Sequence, residues 1–379
     1  MEKDVGICHH SANSIEQEGI MKKPTLFILT LIMILSAYCS KEKWEGSVYK
    51  EAGVTVVESK GSGIWGDKIN EKVTFKENLS LGVEEGEEFL VFHSELDVEI
   101  DPESNIYVLD SRNHRLLKFD KLGNFIWETG RKGEGPGEFR NPSEIALSFS
   151  GEIWVLDSSA FIHIFDAKGK YSRTINLKSR CKHFQFLPDG RFLIISTTIG
   201  QMGFSAEYYS GEGKLLDEFP EDYRFGPEFP NWVGGSLGGG GYRVLNSKIY
   251  MILPDKYEIR EYDLNGKLLG KIKRDIKLKP PEVKVFERGF EMRTSNIMGP
   301  CFLYKKKMLL NTFMLFERNA QSEVELNVFL DFFNEKEQFL GSYKLPEHTR
   351  LKAIDHENHF YFVQEDPFPR IVRSILEIK

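Results

Sequence analysis

Short apolar runs alternate with turn-forming clusters along most of this chain, and one two-strand phrase returns with altered lettering. Residues 98–127 read VEIDPESNIYVLDSRNHRLLKFDKLGNFIW, and residues 143–171 answer with SEIALSFSGEIWVLDSSAFIHIFDAKGKY. Each holds an apolar strand, a turn, Ile-aromatic-Val-Leu-Asp, a polar turn, an aromatic-Asp pair and a Gly. Such runs, bounded by Asp, Asn, Gly and Pro, predict antiparallel strands joined by tight turns. Strand centres recur at 106–110, 153–157, 192–196, 249–253, 308–312 and 360–364, about 40 to 60 residues apart. A third strand and a Gly-ended turn follow at 119–123, 165–169, 209–213 and 262–266, and a fourth strand leaves from there. The fifth copy degrades to FFNEKEQ at 332–338, and the sixth stops after its third strand. Upstream, residues 72–81 (KVTFKENLSL) form an orphan with strand alternation. Repeats of this kind bury their faces against their neighbours. The pattern therefore predicts an all-β fold, a six-bladed β-propeller of four-stranded antiparallel blades. The N-terminal strand completes the last blade, which removes exposed edges.

Residues 107–110 (YVLD), Asn113, Arg115, 119–120 (FD) and Gly123 set up a resemblance, with the linker 130–142 (GRKGEGPGEFRNP) its most specific part. Over 98–170 the chain resembles the NHL-type repeat of six-bladed propellers. With its leader, it is similar to exported propeller lipoproteins of bacteria. The resemblance implies the fold. It leaves function open, because propellers host binding proteins, lactonases and lyases alike.

The leader begins at Met21. Lys22 and Lys23 precede an apolar run from Leu26 to Leu35 that only Thr30 interrupts. About ten apolar residues suit a secretory signal better than a membrane span, which needs roughly 20. The run ends in SAYCS at 36–40, which resembles a lipoprotein signal with Cys39 as the lipidated residue; Tyr38 stands where a small residue is usual. The expected division is an overextended start (1–20), a signal peptide (21–39), a tether (40–67) and the propeller (68–379). Export to the cell envelope or periplasm follows, with attachment to a membrane through the lipid and a monomeric state. The net charge of −7 gives no general attraction for phosphate backbones, so nucleic acid is not an expected partner.

Several stretches suggest chemistry and read more simply as structure. The linker 130–142 lacks the Gly-Lys-Ser/Thr of a phosphate loop and precedes a strand, so it is expected to be an inter-blade crossover. Gly-rich residues 234–241 suit close backbone approach beside the central channel. Asp110 and Asp157 end equivalent strands and are expected to cap the following turns. His163 sits in an alternating strand and is expected to pack. Cys181 and Cys301 each open a strand and are expected to be buried thiols. No zinc spacing or nucleophile elbow is present.

The longer loops all fall on one face of the expected propeller, where strand two turns to three and one blade passes to the next. They interleave aromatics with Arg, residue types enriched at binding hot spots. Arg112, His114, Arg140, Tyr223, Trp232, Arg288 and Arg370 are the candidate binding residues. The expected role is a non-enzymatic binding module for an envelope protein, peptide or glycan, with no cofactor. The alternative is a metal-dependent, lactonase-like hydrolase or lyase at the channel mouth, with calcium implied only there.

Overall fold

The computed structural model describes residues 43–379 except 197–202, 221–222, 225–241, 254–255, 277–281, 287–288, 294–298, 300 and 319–323; for 203–204, 223–224, 282–286, 289–293, 316–318 and 324–325 it describes the backbone. The repeat pattern becomes six blades, each a sheet of four antiparallel strands in sequential order. The innermost strands are Leu96–Ile100, Pro142–Leu147, Cys181–Phe186, Tyr242–Leu245, Cys301–Tyr304 and Thr349–Ile354, and they touch in cyclic order from blade 1 to blade 6 and back to blade 1. Blade 6 receives Val73–Leu81 as its fourth strand, antiparallel to Arg370–Ile378, with Leu81 opposite Ile371 and Val73 opposite Ile378. The ring is closed as the orphan segment predicts.

Each blade-to-blade contact has its own apolar core. Tyr107, Leu116, Ile145 and Val155 fill the first interface. Leu81, Val98, Val108 and Val363 fill the one that closes the ring. The second strands of blades 1, 2 and 3 are buried along their whole length, because both faces of a middle strand are covered by neighbouring blades. Blades 4 and 5 are also joined by a buried carboxylate: Asp331 accepts from Tyr257, Arg274 and Ser342.

The turns repeat one device. Asp120, Asp166 and Asp263 each accept from the backbone N–H groups two and four residues on. Asn334 does the same in the fifth copy, at 2.9 Å and 3.1 Å. There Glu337 holds a φ of +61° where the first four copies have Gly at +78° to +88°. The lettering degrades while the geometry survives, because the side-chain cap compensates for the strained backbone.

The expected tether is replaced by structure. Gly46–Glu51 and Val54–Ser59 form a hairpin whose second strand lies parallel to Leu268–Arg274, extending blade 4 to six strands. Val56 and Val57 are buried there. Trp44 Nε1 donates to Ser59 Oγ at 2.9 Å. The N–H groups of Ile64 and Trp65 then bond Phe339 and Leu340 on the edge of blade 5. The folded unit thus begins at Trp44 rather than at residue 68. Cys181 and Cys301 are buried free thiols in blades 3 and 5.

Candidate functional site

Strand register defines six equivalent positions, one on the inner strand of each blade. Glu99 in blade 1 pairs with Tyr107; the matching positions are Ala146, Gln185, Arg243, Phe302 and Ala353. Blade 1 faces blade 4 across the axis. Arg243 spans that distance: its Nη1 lies 3.8 Å from Glu99 Oε1, and its Nη2 donates to the Lys352 carbonyl at 3.3 Å. Its guanidinium also stands 5.5 Å over the Phe302 ring. One arginine thereby touches blades 1, 5 and 6.

Above this strut, toward the long-loop face, a cavity of about 220 Å³ opens. Its walls come from the next turn of the inner strands and from blade 5, and none of its lining residues lies beyond the level of the strut. Blades 1 and 2 supply Asp97 and Glu144; blades 3 and 6 supply His183, Arg350 and Lys352. Lys352 reaches the channel because a bulge between Leu351 and Ala353 adds a residue to the inner strand of blade 6. A second cavity, about 270 Å³, forms the mouth and shares Ser143, Arg350 and Lys352 with the first.

Every channel carboxylate is matched by donors of this chain. Asp97 accepts from Lys352 Nζ at 3.1 Å and from the Ile145 N–H at 3.1 Å. Glu144 accepts from the Phe184 N–H at 3.2 Å and stands 3.5 Å from His183 Nδ1. Glu99 accepts from the Ile100 N–H and has a longer charge contact to Arg243. Burial pushes its carboxyl up to about 7; Arg243 opposes that shift, and the charges of Asp97 and Glu144 add to it. About a quarter of the Glu99 side chain is exposed, and that part lines the cavity.

Of the candidate binding residues, Arg112, His114, Arg140 and Arg370 are described on the long-loop face, and none of these four lines either cavity. Arg112 pairs with Glu95 at 2.6 Å, and both are exposed. His114 sits at a φ of +54° in the following turn. Arg140 pairs with Glu134 at 2.8 Å and lies 5.9 Å over Phe161. Arg370 Nε donates to Gln364 Oε1 at 3.0 Å. Tyr223 lies in a two-residue strand whose side chains are outside the described residues, as are Trp232, Arg288 and Cys39. The structure brings together a different set, Asp97, Glu99, Glu144, Arg243, Arg350 and Lys352. The available signal was charge at alternate positions of inner strands, where a propeller is otherwise apolar.

The linker 130–142 is an inter-blade crossover as expected, whereas residues 234–241 lie outside the described residues. The Glu138 carboxylate accepts from the N–H groups of Glu134 and Gly135 at 3.0 Å and 2.8 Å, so the crossover supplies its own anion. A Cβ at Gly133 would stand 2.0 Å from that carboxylate, which explains the glycine. Asp157 accepts from the N–H groups of Arg140 and Asn141 and approaches His163 Nε2 to 3.2 Å. Burial alone would raise its pKa, yet these bonds outweigh burial and bring it to about 2. Asp110 accepts from Asn113 Nδ2 in the following turn at 2.8 Å, as expected, and also anchors the buried guanidinium of Arg115 at 3.0 Å. Among the described residues one trio has metal-ligating spacing, Asp355, Glu357 and His359, on the short-turn face. Asp355 there accepts from the His359 N–H and the Tyr361 hydroxyl, as Asp101 does from Asn105 and Tyr107 in blade 1. The trio therefore contains a repeat turn rather than a distinct constellation.

Comparison with known proteins agrees with the architecture. A family profile described as a 6-bladed beta-propeller, DUF5128, matches residues 94–223. The human NHL repeat-containing protein 3 is 26% identical over 149 residues, which is 36% of this chain and 43% of that protein. The mouse protein of the same name is 26% identical over 116 residues, 28% of this chain and 33% of that one. The chain spans less than half the length of these curated relatives. A candidate exported protein from Bacteroides fragilis superposes with a TM-score of 0.54 at 12% identity, covering 86% of this chain and 99% of its own. A member of the DUF4221 family from Bacteroides vulgatus gives 0.53 at 10% identity, with 81% and 99% covered. The NHL-like resemblance and the six-bladed fold are thus both borne out.

Proposed function

We propose that this chain is an exported binding module of the cell envelope, anchored through Cys39, that receives a ligand in the channel on its long-loop face. The observation that carries this reading is the charged, blind-ended cavity above the Glu99–Arg243 strut. A concave, largely apolar space on which a few charged groups converge from several blades is what a ligand site requires. The charged leader and apolar run support export, as does the likeness to a candidate exported protein. A metal-dependent hydrolase or lyase needs carboxylates from several blades aimed at one ion. Here Asp97, Glu99 and Glu144 are each directed at a donor of the chain itself. The ligand belongs to an envelope protein, peptide or glycan.

Ser143 is exposed at the lip and lines both cavities, so Ser143→Trp fills the mouth without touching a core. Recovery of envelope partners by this variant is expected to fall at least about tenfold with an unchanged circular dichroism spectrum. Equal recovery from wild type and variant overturns the channel as the binding site. For the anchor, Cys39→Ser is expected to move the protein from the membrane fraction to the soluble exported fraction. Unchanged membrane association overturns lipidation.

A further inference from the structure

We infer that the ligand is held through an oxyanion, a carboxylate or phosphate group, received by Arg350. This rests on the channel being the binding site. Asp97, Glu99 and Glu144 each accept from a backbone N–H of the chain, so an amine entering the channel meets acids that already have partners. Most of the cations are engaged as well: Lys352 by Asp97 at 3.1 Å, Arg243 by the Lys352 carbonyl at 3.3 Å and His183 by Glu144 at 3.5 Å. Arg350 is different. Its nearest acid, Glu365, stands 3.9 Å from Nη1, beyond hydrogen-bonding distance, and about half of the Arg350 side chain is exposed. It lines both cavities, at the boundary where they share a wall. A guanidinium presents five N–H donors in a planar fork that matches a carboxylate or phosphate edge.

Blade 5 shapes the rest of the ligand. Its described contribution to the inner cavity is uncharged: Gly299, Thr312, Met314 and Val328. An anionic head at Arg350 thus sits beside an apolar wall. The recognised part of the partner is a carboxylate or phosphate group next to an apolar body, and a bare inorganic ion leaves that wall uncovered.

The test is calorimetric titration of the purified full chain at pH 7.5 with benzoate, phenyl phosphate and benzylamine, each to 10 mM. One or both anions are expected to bind, and benzylamine is not; the stronger anion identifies which headgroup source to pursue. Arg350→Gln is expected to weaken the anion about tenfold or more at an unchanged thermal midpoint, with Arg350→Lys intermediate. Glu365→Gln, which removes the nearest described acid, is expected to tighten the anion about two- to threefold and tests the claim even if position 350 variants fold poorly. Benzylamine binding as tightly as benzoate, no anion binding by 10 mM, or an affinity indifferent to both positions overturns the inference. Envelope partners lost by Ser143→Trp, together with any of those results, sinks the anion and spares the channel. Partners retained by Ser143→Trp sinks the channel itself.

Discussion

Blades 4 and 6 both take chain from the N-terminal side, and they use it in opposite ways. Val73–Leu81 is the fourth strand of blade 6 and contributes Val73 and Leu81 to the cores on either side of it. The hairpin Gly46–Ser59 is laid onto a blade 4 that already has four strands. Its outer strand is exposed along its whole length, with Val48 at 59%. Removing the first strand opens the ring, whereas removing the second uncovers one edge. Similar alternation in sequence therefore carries very different structural weight, set by whether the strand completes a blade or only covers one.

The largest expected effect separates the two directly. Leu81→Asp places a charge in the closing core and should cost about 4 kcal/mol or more, read as a collapse of the urea midpoint. If the loss is no greater than for Val56→Asp, closure through blade 6 is not what holds the ring. Val56→Asp buries the same charge in the hairpin, but that hairpin has a cheaper escape and can detach. Burying two valines gains roughly 3–6 kcal/mol, and ordering the hairpin consumes most of it, so the net loss is expected to be about 1–2 kcal/mol. Hydrogen exchange should then become fast in Val54–Ser59 while Val73–Leu81 stays protected. Protection lost together in both segments breaks the distinction.

The smallest effect concerns the strut by which blade 1 meets blade 4 across the axis. Glu99 binds its proton more tightly in the folded chain than at its ordinary value of 4.5, with a folded value of about 7. Between those values the folded state holds the extra proton, so stability falls as pH rises through the window, and the deficit is complete above it. Glu99→Gln removes the dependence. The two proteins should melt together near pH 4, and the variant about 2 °C higher above pH 7, a figure kept small because part of Glu99 reaches the cavity. A gap that shrinks with rising pH contradicts this.

Much of the ring was legible because blades 1 and 2 spell their strands and turns almost letter for letter, and because residues 72–81 had no partner nearby in the sequence. The hairpin was not. Polar residues flank Val48, Val54, Val56 and Val57, and nothing local announces that blade 4 has a free edge at Leu268–Arg274. The channel was missed for a related reason. Asp97, Glu144 and Arg350 sit in strands whose alternation reads equally well as an ordinary solvent face, and only closure turns that face inward. The Arg and aromatic residues of the loops are the stronger signal in the sequence, yet Arg112 and Arg140 pair with Glu95 and Glu134 outside the cavity lining.

Closure also sets a timetable. Arg373 donates to Asn78, its partner 295 positions earlier. The ribosome releases Val73–Leu81 long before Arg370–Ile378 exists, so the ring cannot be finished as it is made. Until the two segments meet, each presents unpaired backbone that invites mispairing, and joining ends so distant in sequence is slow. A nascent chain interrupted before residue 370 keeps that exposed edge, a marker by which cellular quality control can distinguish an unfinished product from a complete one.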